Sequence, residues 1–597
     1  MKRLTGSLEC GDRSHRFDSW PSRNAAQSRG KAVTAVIALQ IVAVIFLTLN
    51  ADAQRIRAVR PRGPLTPPPQ TAVEPASCAL TPASPETCAD GGTPATSLSA
   101  TEVETVIRAA ARALNDDTMT IAVVDRAGRP LGLFRKTGAN PANDELAVGV
   151  ARTAAFFSHN QAPLSSRTVR FISGIHFPPG ITNTSSAALY GIENTNRGCD
   201  FNVTWNAGKC IPRARSVNGG LCAATLGTAG CGPGIVTGKQ FPGDADPSSV
   251  NAGGIPLYRV QATGAVVSNG QLLGGIGVAG VSGDPQRAEY AAANGAFGSL
   301  GTGIVPVPFY PLPPPGNVFI DGIRLPFLGK DMRLTFNSSG LPNGVRLRDT
   351  AAGTDAGSFV LLPRHGGCAA NEYLVGPRAG ANLTQAEVEA IVQRAVDTAR
   401  RTRAVIRLPL NRYARMVIAV ADVDGSILAL YRMPDATVFS VDVAVAKSRN
   451  VLYFSRQGIG TFVPGGTAVS NRTIAFGAQP FYPSGIDSDV FDPRPGPWYQ
   501  SLYVNDLANP CTQGDQLANA NQNGIVFFAG SSPLYRNDTL AGGLGVSGDG
   551  IEQDDYVTYF GAGEFLPAEA RWADRIVVDG VRLPMFKFPR HPEGVEE

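Results

Sequence analysis

The chain of 597 residues is poor in histidine. It holds five histidines. No G-x-S-x-G stretch occurs, so the nucleophile elbow of many hydrolases is absent, and no H-E-x-x-H stretch occurs, so a zinc-protease helix is absent too. Nine cysteines are present, but no C-x-x-C pair, and their spacings are too wide for a zinc knuckle. Net positive charge is missing from most of the chain. Residues 1–63 carry a net +7 against +4 for the whole, so the remainder is net −3. A mildly acidic body argues against nucleic acid as a partner. There is also no second long apolar run after Ala32–Asn50.

What is present divides the chain. Residues 1–31 are basic and polar, Ala32–Asn50 are largely apolar, and Ala51-Asp52-Ala53 is an A-x-A pattern. That order is the layout of an export signal; the apolar run also approaches the roughly 20 residues of an uncleaved anchor. Residues 1–53 are therefore expected to direct the protein out of the cytoplasm, with membrane contact only through this segment if it is retained. Residues 54–97 are Pro-rich and read as a linker. Beyond Cys10 eight cysteines remain, an even number that suggests disulfides in an exported chain, with connectivity open.

After the linker the sequence repeats itself. "LSATEVETVIRAAARAL" from Leu98 corresponds to "LTQAEVEAIVQRAVDTA" from Leu383, and "TIAVVDRAGRPLGLFR" from Thr120 to "VIAVADVDGSILALYR" from Val417. "PLYR" recurs at Pro256 and Pro533, "GGIGVAGVSGD" from Gly274 has its partner in "GGLGVSGDG" from Gly542, and "DGIRLP" and "DGVRLP" close the two units. This is a whole-domain duplication, longer than any solenoid period. The expected layout is domain 1 over 98–330 with a Cys-bearing insertion, a connector over 331–380, and domain 2 over 381–590. In each unit a capping box (Ser99 with Glu102, Thr384 with Glu387) opens a helix, a β-hairpin follows, and a second helix covers about 143–158 or 441–455. The Gly-rich stretches are expected to be strands whose glycines relieve a strand-to-helix turn, with Asp284 as an N-cap and Asp549 with Glu552 as a further capping box. Such a helix start can hold a phosphate or carboxylate, but neither copy has the Lys-Ser/Thr of a P-loop.

The helix with its capping box, "IAVVDRAGRPLGLFR", "VARTAAFF", "GGIPLYR" and "GGLGVSGDGIEQDD" resemble the GlcG/HbpS haem-binding family. The resemblance covers most of both halves. It implies an α+β fold: two profilin-like (GlcG-like) domains in tandem, each an antiparallel sheet flanked by helices, interrupted here by long loop insertions. It further implies haem or a related tetrapyrrole or iron as ligand, homo-oligomers, and in some members a sensor protein as partner. The duplication suggests a pseudo-dimer within one chain.

Haem needs an axial ligand and cations for its propionates. His159, after the second helix, and His176, in "SGIHFPPGI", are the candidate nitrogen ligands. Tyr258 and Tyr535 in the repeated "PLYR" are candidate oxygen ligands, core packing being their alternative role. Arg152 and Arg449 recur on the second helix and fit a carboxylate anchor or a helix-to-sheet ion pair. No histidine recurs between the halves, and no catalytic residue stands out. The reading is an exported, non-enzymatic ligand-binding protein. The alternatives are an extracytoplasmic enzyme acting on a small carbon compound or degrading haem, and a cell-surface scaffold.

Overall fold

Two stretches of chain fold alike because the same local signals start and stop the same elements. The structure is a computed structural model. It describes residues 97–126, 128–174, 188–196, 235, 238, 250–259, 262–263, 266–267, 270–281, 285–297, 303–307, 319–320, 323–328, 335–336, 342–343, 353–360, 372–480, 482, 494–509, 512–514 and 522–595. These belong to one unit, Pro75–Glu597. The export segment, nearly all of the linker, the cysteines, His176 and Asp284 lie outside the described residues. No helix among the described residues is long and apolar enough to cross a membrane.

The first half runs α1 (Ala100–Arg112), β1 (Thr120–Asp125), β2 (Pro130–Lys136), α2 (Asp144–Phe157), α3 (Ser166–Gly174), β3 (Gly254–Arg259), β4 (Gln271–Ala279), α4 (Pro285–Phe297), β5 (Ile304–Val305) and β6 (Gly357–Phe359). The second runs β7 (Glu372–Val375), α5 (Gln385–Arg401), β8 (Met416–Ala421), β9 (Ile427–Arg432), α6 (Phe439–Gln457), α7 (Asn471–Gly477), β10 (Ser531–Arg536), β11 (Thr539–Gly548) and α8 (Ile551–Ala562). The sheets are antiparallel, ordered β6-β2-β1-β4-β3-β5 and β7-β9-β8-β11-β10. The fold is thus α+β, two like domains in tandem, each an antiparallel sheet flanked by helices. Each sheet takes an edge strand, β6 or β7, from residues 331–380.

Both capping boxes form. The Ser99 hydroxyl accepts from the Glu102 amide at 3.3 Å while the Ser99 amide donates to Glu102 at 2.8 Å, and Thr384 with Glu387 does the same. The repeated "PLYR" arginines finish the motif: Arg259 binds Glu102 at 2.7 Å and Arg536 binds Glu387 at 2.6 Å. Hydrogen bonding from these arginines lowers each glutamate to about 2. The two motifs, about 150 residues apart in sequence, therefore clamp the first helix to the sheet edge.

Along β1 the side chains alternate as strand geometry requires. Ile121 and Val123 enter a core with α1 and α4, whereas Ala122 and Val124 enter one with α2. Each first-half sheet face is therefore covered by helix. The second core continues across the chain: Phe156, Phe157 and Val148 pack in one cluster with Phe439, Val443 and Ala446 of α6. Phe157 stacks on Phe439 at 4.0 Å, and the Val438 amide donates to the Phe156 carbonyl at 3.1 Å. The halves meet through α2 and α6.

The doubled glycines do something other than expected. Gly275 and Gly277 lie within β4, and Gly543 and Gly545 within β11. A Cβ on any of them would come under 3.0 Å from a helix carbonyl: Ala151 or Ala147 of α2, Ser448 or Ala444 of α6. The glycines seat a helix on the sheet, and only Gly280 (φ 78°) and Gly550 (φ 142°) beyond the strands adopt turn conformations that favour glycine. The expected Asp549–Glu552 capping box does not form. Gly550 is the N-cap of α8 and makes no side-chain bond there, because Asp549 turns inward to Arg407.

Candidate functional site

His159 lies where the halves meet. It is fully buried, its Nδ1 accepts from the Gln161 amide at 3.2 Å, and Nε2 must then carry the proton of the neutral ring. That Nε2 faces the buried Asp549 Oδ1 at 3.9 Å, and neither atom has a hydrogen-bond partner. Burial, then the charge of Arg407, holds His159 well below 6.5. Around it Arg407 binds Asp549, Asp435 at 2.8 Å and Gln161 at 3.1 Å, and Arg126 binds Asp435 at 2.7 Å. Burial alone would raise Asp435, but Arg126 and Arg407 outweigh it and hold the carboxyl low. The cluster draws Arg126, His159 and Gln161 from one half and Arg407, Asp435 and Asp549 from the other. It is an ionic rivet between halves, with His159, Arg407 and Asp549 fully buried and Arg126 and Asp435 reaching solvent at its margin.

The other proposed ligands are tied down as well. The Tyr258 hydroxyl donates to the His159 and Ala162 carbonyls at 2.9 and 3.0 Å, and burial pushes it well above 10, away from the phenolate an iron ligand requires. Arg152 donates to the Gly128 carbonyl at 2.8 Å, and Arg449 to the Gly425 carbonyl at 2.9 Å. The recurring arginine thus pins the second helix to the hairpin turn in each half, and burial pulls Arg449 down to about 9. Tyr535 is buried under Arg571, whose guanidinium sits 5.7 Å from its ring centre.

An open pocket lies elsewhere in the second half. It measures about 470 Å³ and is lined by Tyr559, Trp572, Asp574, Arg582, Leu583, Pro584, Met585, Phe586 and Phe588. None of the six residues singled out in the sequence lines it. Tyr559 projects from α8, and the rest belongs to a strap that follows it. The strap turns through a two-residue hairpin at Asp579 and Gly580, both with positive φ (51° and 79°), which is what Asp-Gly supplies. It is then nailed down: Ser470 Oγ donates to the Met585 carbonyl at 2.5 Å, Thr473 to Pro584 at 2.6 Å, and the Lys587 amide to Asp555 at 2.9 Å. The first half repeats the first two contacts, Ser165 to Phe327 at 2.6 Å and Thr168 to Pro326 at 2.7 Å. "DG(I/V)RLP" is therefore a strap motif.

Rings wall this pocket edge to face: Tyr559 with Phe588 at 5.2 Å, Tyr559 with Phe586 at 5.7 Å, and Trp572 with Phe586 at 5.5 Å. Exposed Arg582 adds a cation. Asp574 adds a carboxylate whose Oδ1 is shut off from solvent and accepts no hydrogen bond, with Arg575 Nε 3.8 Å away. The wall is particular to this half. At the positions of Tyr559, Met585, Phe586 and Phe588 the first half has Ala293, Phe327, Leu328 and Lys330. Reading the two repeats against each other for where they differ, instead of where they agree, would have found it.

Comparison with known proteins gives three findings. A family model described as haem degrading protein HbpS-like matches residues 96–227 and 383–562. A solved structure described as a PduOC:heme complex is 19% identical, covering 30% of this chain and 94% of that one with a TM-score of 0.19; Klebsiella pneumoniae protein ORFY is 18% identical, covering 30% and 83%, also at 0.19. No curated protein matches the chain.

Proposed function

The chain belongs to the HbpS-like family of haem degrading proteins, and from that premise we propose that it is an exported protein that binds haem or a related tetrapyrrole in the second-half pocket. The observation that carries the reading is the aromatic wall of Tyr559, Trp572, Phe586 and Phe588 beside Arg582. Flat rings suit the face of a macrocycle, and a guanidinium suits a propionate. Tyr559 is the lining residue with a side-chain atom suited to iron, its phenol oxygen. Bound haem would bring a redox-active iron; the chain's part is to stack on the ring and fix its carboxylates.

One site per chain is expected, because the first half lacks the wall. Titration of the purified protein with haemin should saturate at one equivalent with a shifted Soret band, and Trp572→Ala should weaken binding tenfold or more. A stoichiometry of two, or no shift at micromolar protein, would remove the reading. Export rests on the layout of residues 1–53, and the mass of the protein recovered from its host reports whether cleavage follows Ala53. The family's description favours a second reading, haem degradation. Under it the Soret band decays once bound and iron is released, whereas under simple binding the spectrum is stable.

A further inference from the structure

We propose that the second-half pocket holds a quaternary ammonium group, carried by a small zwitterion whose carboxylate or phosphate pairs with Arg582. The basis is the mutual orientation of three rings that line the pocket. Tyr559 and Trp572 meet at 87°, Tyr559 and Phe586 at 82°, and Trp572 and Phe586 at 85°. Three planes at right angles make the corner of a box. A flat macrocycle can lie on one of these faces at a time, whereas a compact, rounded cation seated in the corner meets all three. The ring centres are 6.5, 5.7 and 5.5 Å apart, so one such cation lies within the roughly 6 Å of every centroid that a cation–π contact requires.

The corner is fixed in advance and open to solvent. The Trp572 indole N–H donates to the Pro567 carbonyl at 2.9 Å, and Phe586 lies on the strap between its anchored neighbours Met585 and Lys587. All three rings are half-buried, and Phe588 beside Tyr559 is exposed. A quaternary ammonium has no N–H to satisfy, so ring faces alone hold it. The charged residues of the lining, Asp574 and Arg582, are of opposite sign, so no net charge turns a cation away. Arg582 is exposed, and its guanidinium offers the paired donors that a carboxylate or phosphate takes. The first half has Ala293 and Leu328 in place of Tyr559 and Phe586, so one site per chain follows. This ligand class is independent of the tetrapyrrole reading, and the two ligands would compete for one pocket.

The whole protein is titrated calorimetrically with phosphocholine, glycine betaine, choline, and the uncharged alcohol in which carbon replaces the nitrogen of choline. Phosphocholine or glycine betaine should bind at one site per chain. Choline should bind at least threefold more weakly for want of an anion, and the uncharged alcohol at least tenfold more weakly than choline. Trp572→Leu should weaken choline about tenfold. Arg582→Ala supplies a second variant at an exposed position where folding is not at stake: it should bring the zwitterions to the level of choline and leave choline within twofold. Vesicles of phosphatidylcholine separate the two sources of this chemistry, since cosedimentation marks a lipid headgroup and binding of the free compounds without it marks a soluble ligand. The uncharged alcohol binding as tightly as choline would reveal an apolar cleft only and overturn the proposal, as would failure of all four compounds to bind at millimolar concentration. Haemin binding in that case leaves the tetrapyrrole reading standing, and haemin failing while phosphocholine binds removes that reading alone.

Discussion

Position 447 shows how two copies of one fold can differ at a single buried pair. Lys447 is fully buried, donating to the Val546 carbonyl at 2.7 Å and to Asp554 at 3.0 Å. The first half has Val150 and Ala288 at these two places, so the same architecture accepts an apolar pair. Desolvation of two ions is repaid only when geometry and hydrogen bonding are complete, and Asp554 Oδ1 has no partner. The single variants Lys447→Val and Asp554→Ala should each destabilise by roughly 3–5 kcal/mol, because each strands a buried charge. The double variant should cost less than either single, and stabilisation by about 1–4 kcal/mol would fit the same physics. Urea denaturation of the three proteins measures this, and a double variant equal to the sum of the singles would refute it. A pH dependence accompanies the pair. Burial raises Asp554 to about 7 from 3.8, so between those values the folded state holds a proton that the unfolded chain has released. The stability of the wild type relative to Asp554→Asn should therefore fall as pH rises from about 4 to about 7.

At the scale of elements, glycine decides how closely helix and sheet approach. Gly545→Ala would put a methyl under 3.0 Å from the Ala444 carbonyl, a backbone atom that cannot rotate away. Helix α6 would have to lift, and overpacking of this kind costs about 1–3 kcal/mol or more. Gly376→Ala, with nothing within 4 Å, should be close to neutral, and the two melting temperatures test the contrast. Equal shifts would mean that the glycines serve the strand and not the helix above it. The same stretch marks what was legible in the sequence. Capping boxes, hairpins and second helices are local patterns, and they lie where the repeat predicts them. The seat is a match between small residues four apart on a helix and glycines two apart on a strand, and that match exists only once the two pack. Asp549 was misread for a related reason: D-x-x-E at a helix start has the form of a cap, but Arg407, 142 residues away, competes for the carboxylate and wins. The pocket was hidden because its aromatic residues are spread over 30 positions, from Tyr559 to Phe588, and only the strap gathers them.

At the scale of the molecule, duplication has turned a surface into a core. A single copy of this domain would leave the outer face of its second helix bare. Here α2 and α6 cover each other, with Phe157 stacked on Phe439. Residues 188–196 of the first half reach over the second as well, where Tyr190 donates to the Ala478 carbonyl at 3.1 Å and Asn194 to Asp506 at 2.6 Å. The junction is also ionic, and its charges are shared unequally: Asp435 takes an arginine from each half. Cutting the chain between the halves leaves each piece with an apolar helix face and Asp435 without Arg126, and contiguous apolar surface of that size drives association. Residues 98–360 and 372–595 made separately should therefore aggregate or self-associate, whereas co-expression should return a one-to-one complex. The intact chain should unfold in one cooperative transition, since neither half has a complete core without the other. Arg407→Ala should lower that transition by roughly 3–5 kcal/mol, as it strands Asp549 and weakens the hold on Asp435. Calorimetry and sizing of the pieces check the expectation together. Two monodisperse monomers, each melting where the whole protein melts, would show that the halves are neighbours on a string and that the ionic rivet contributes nothing to their folding.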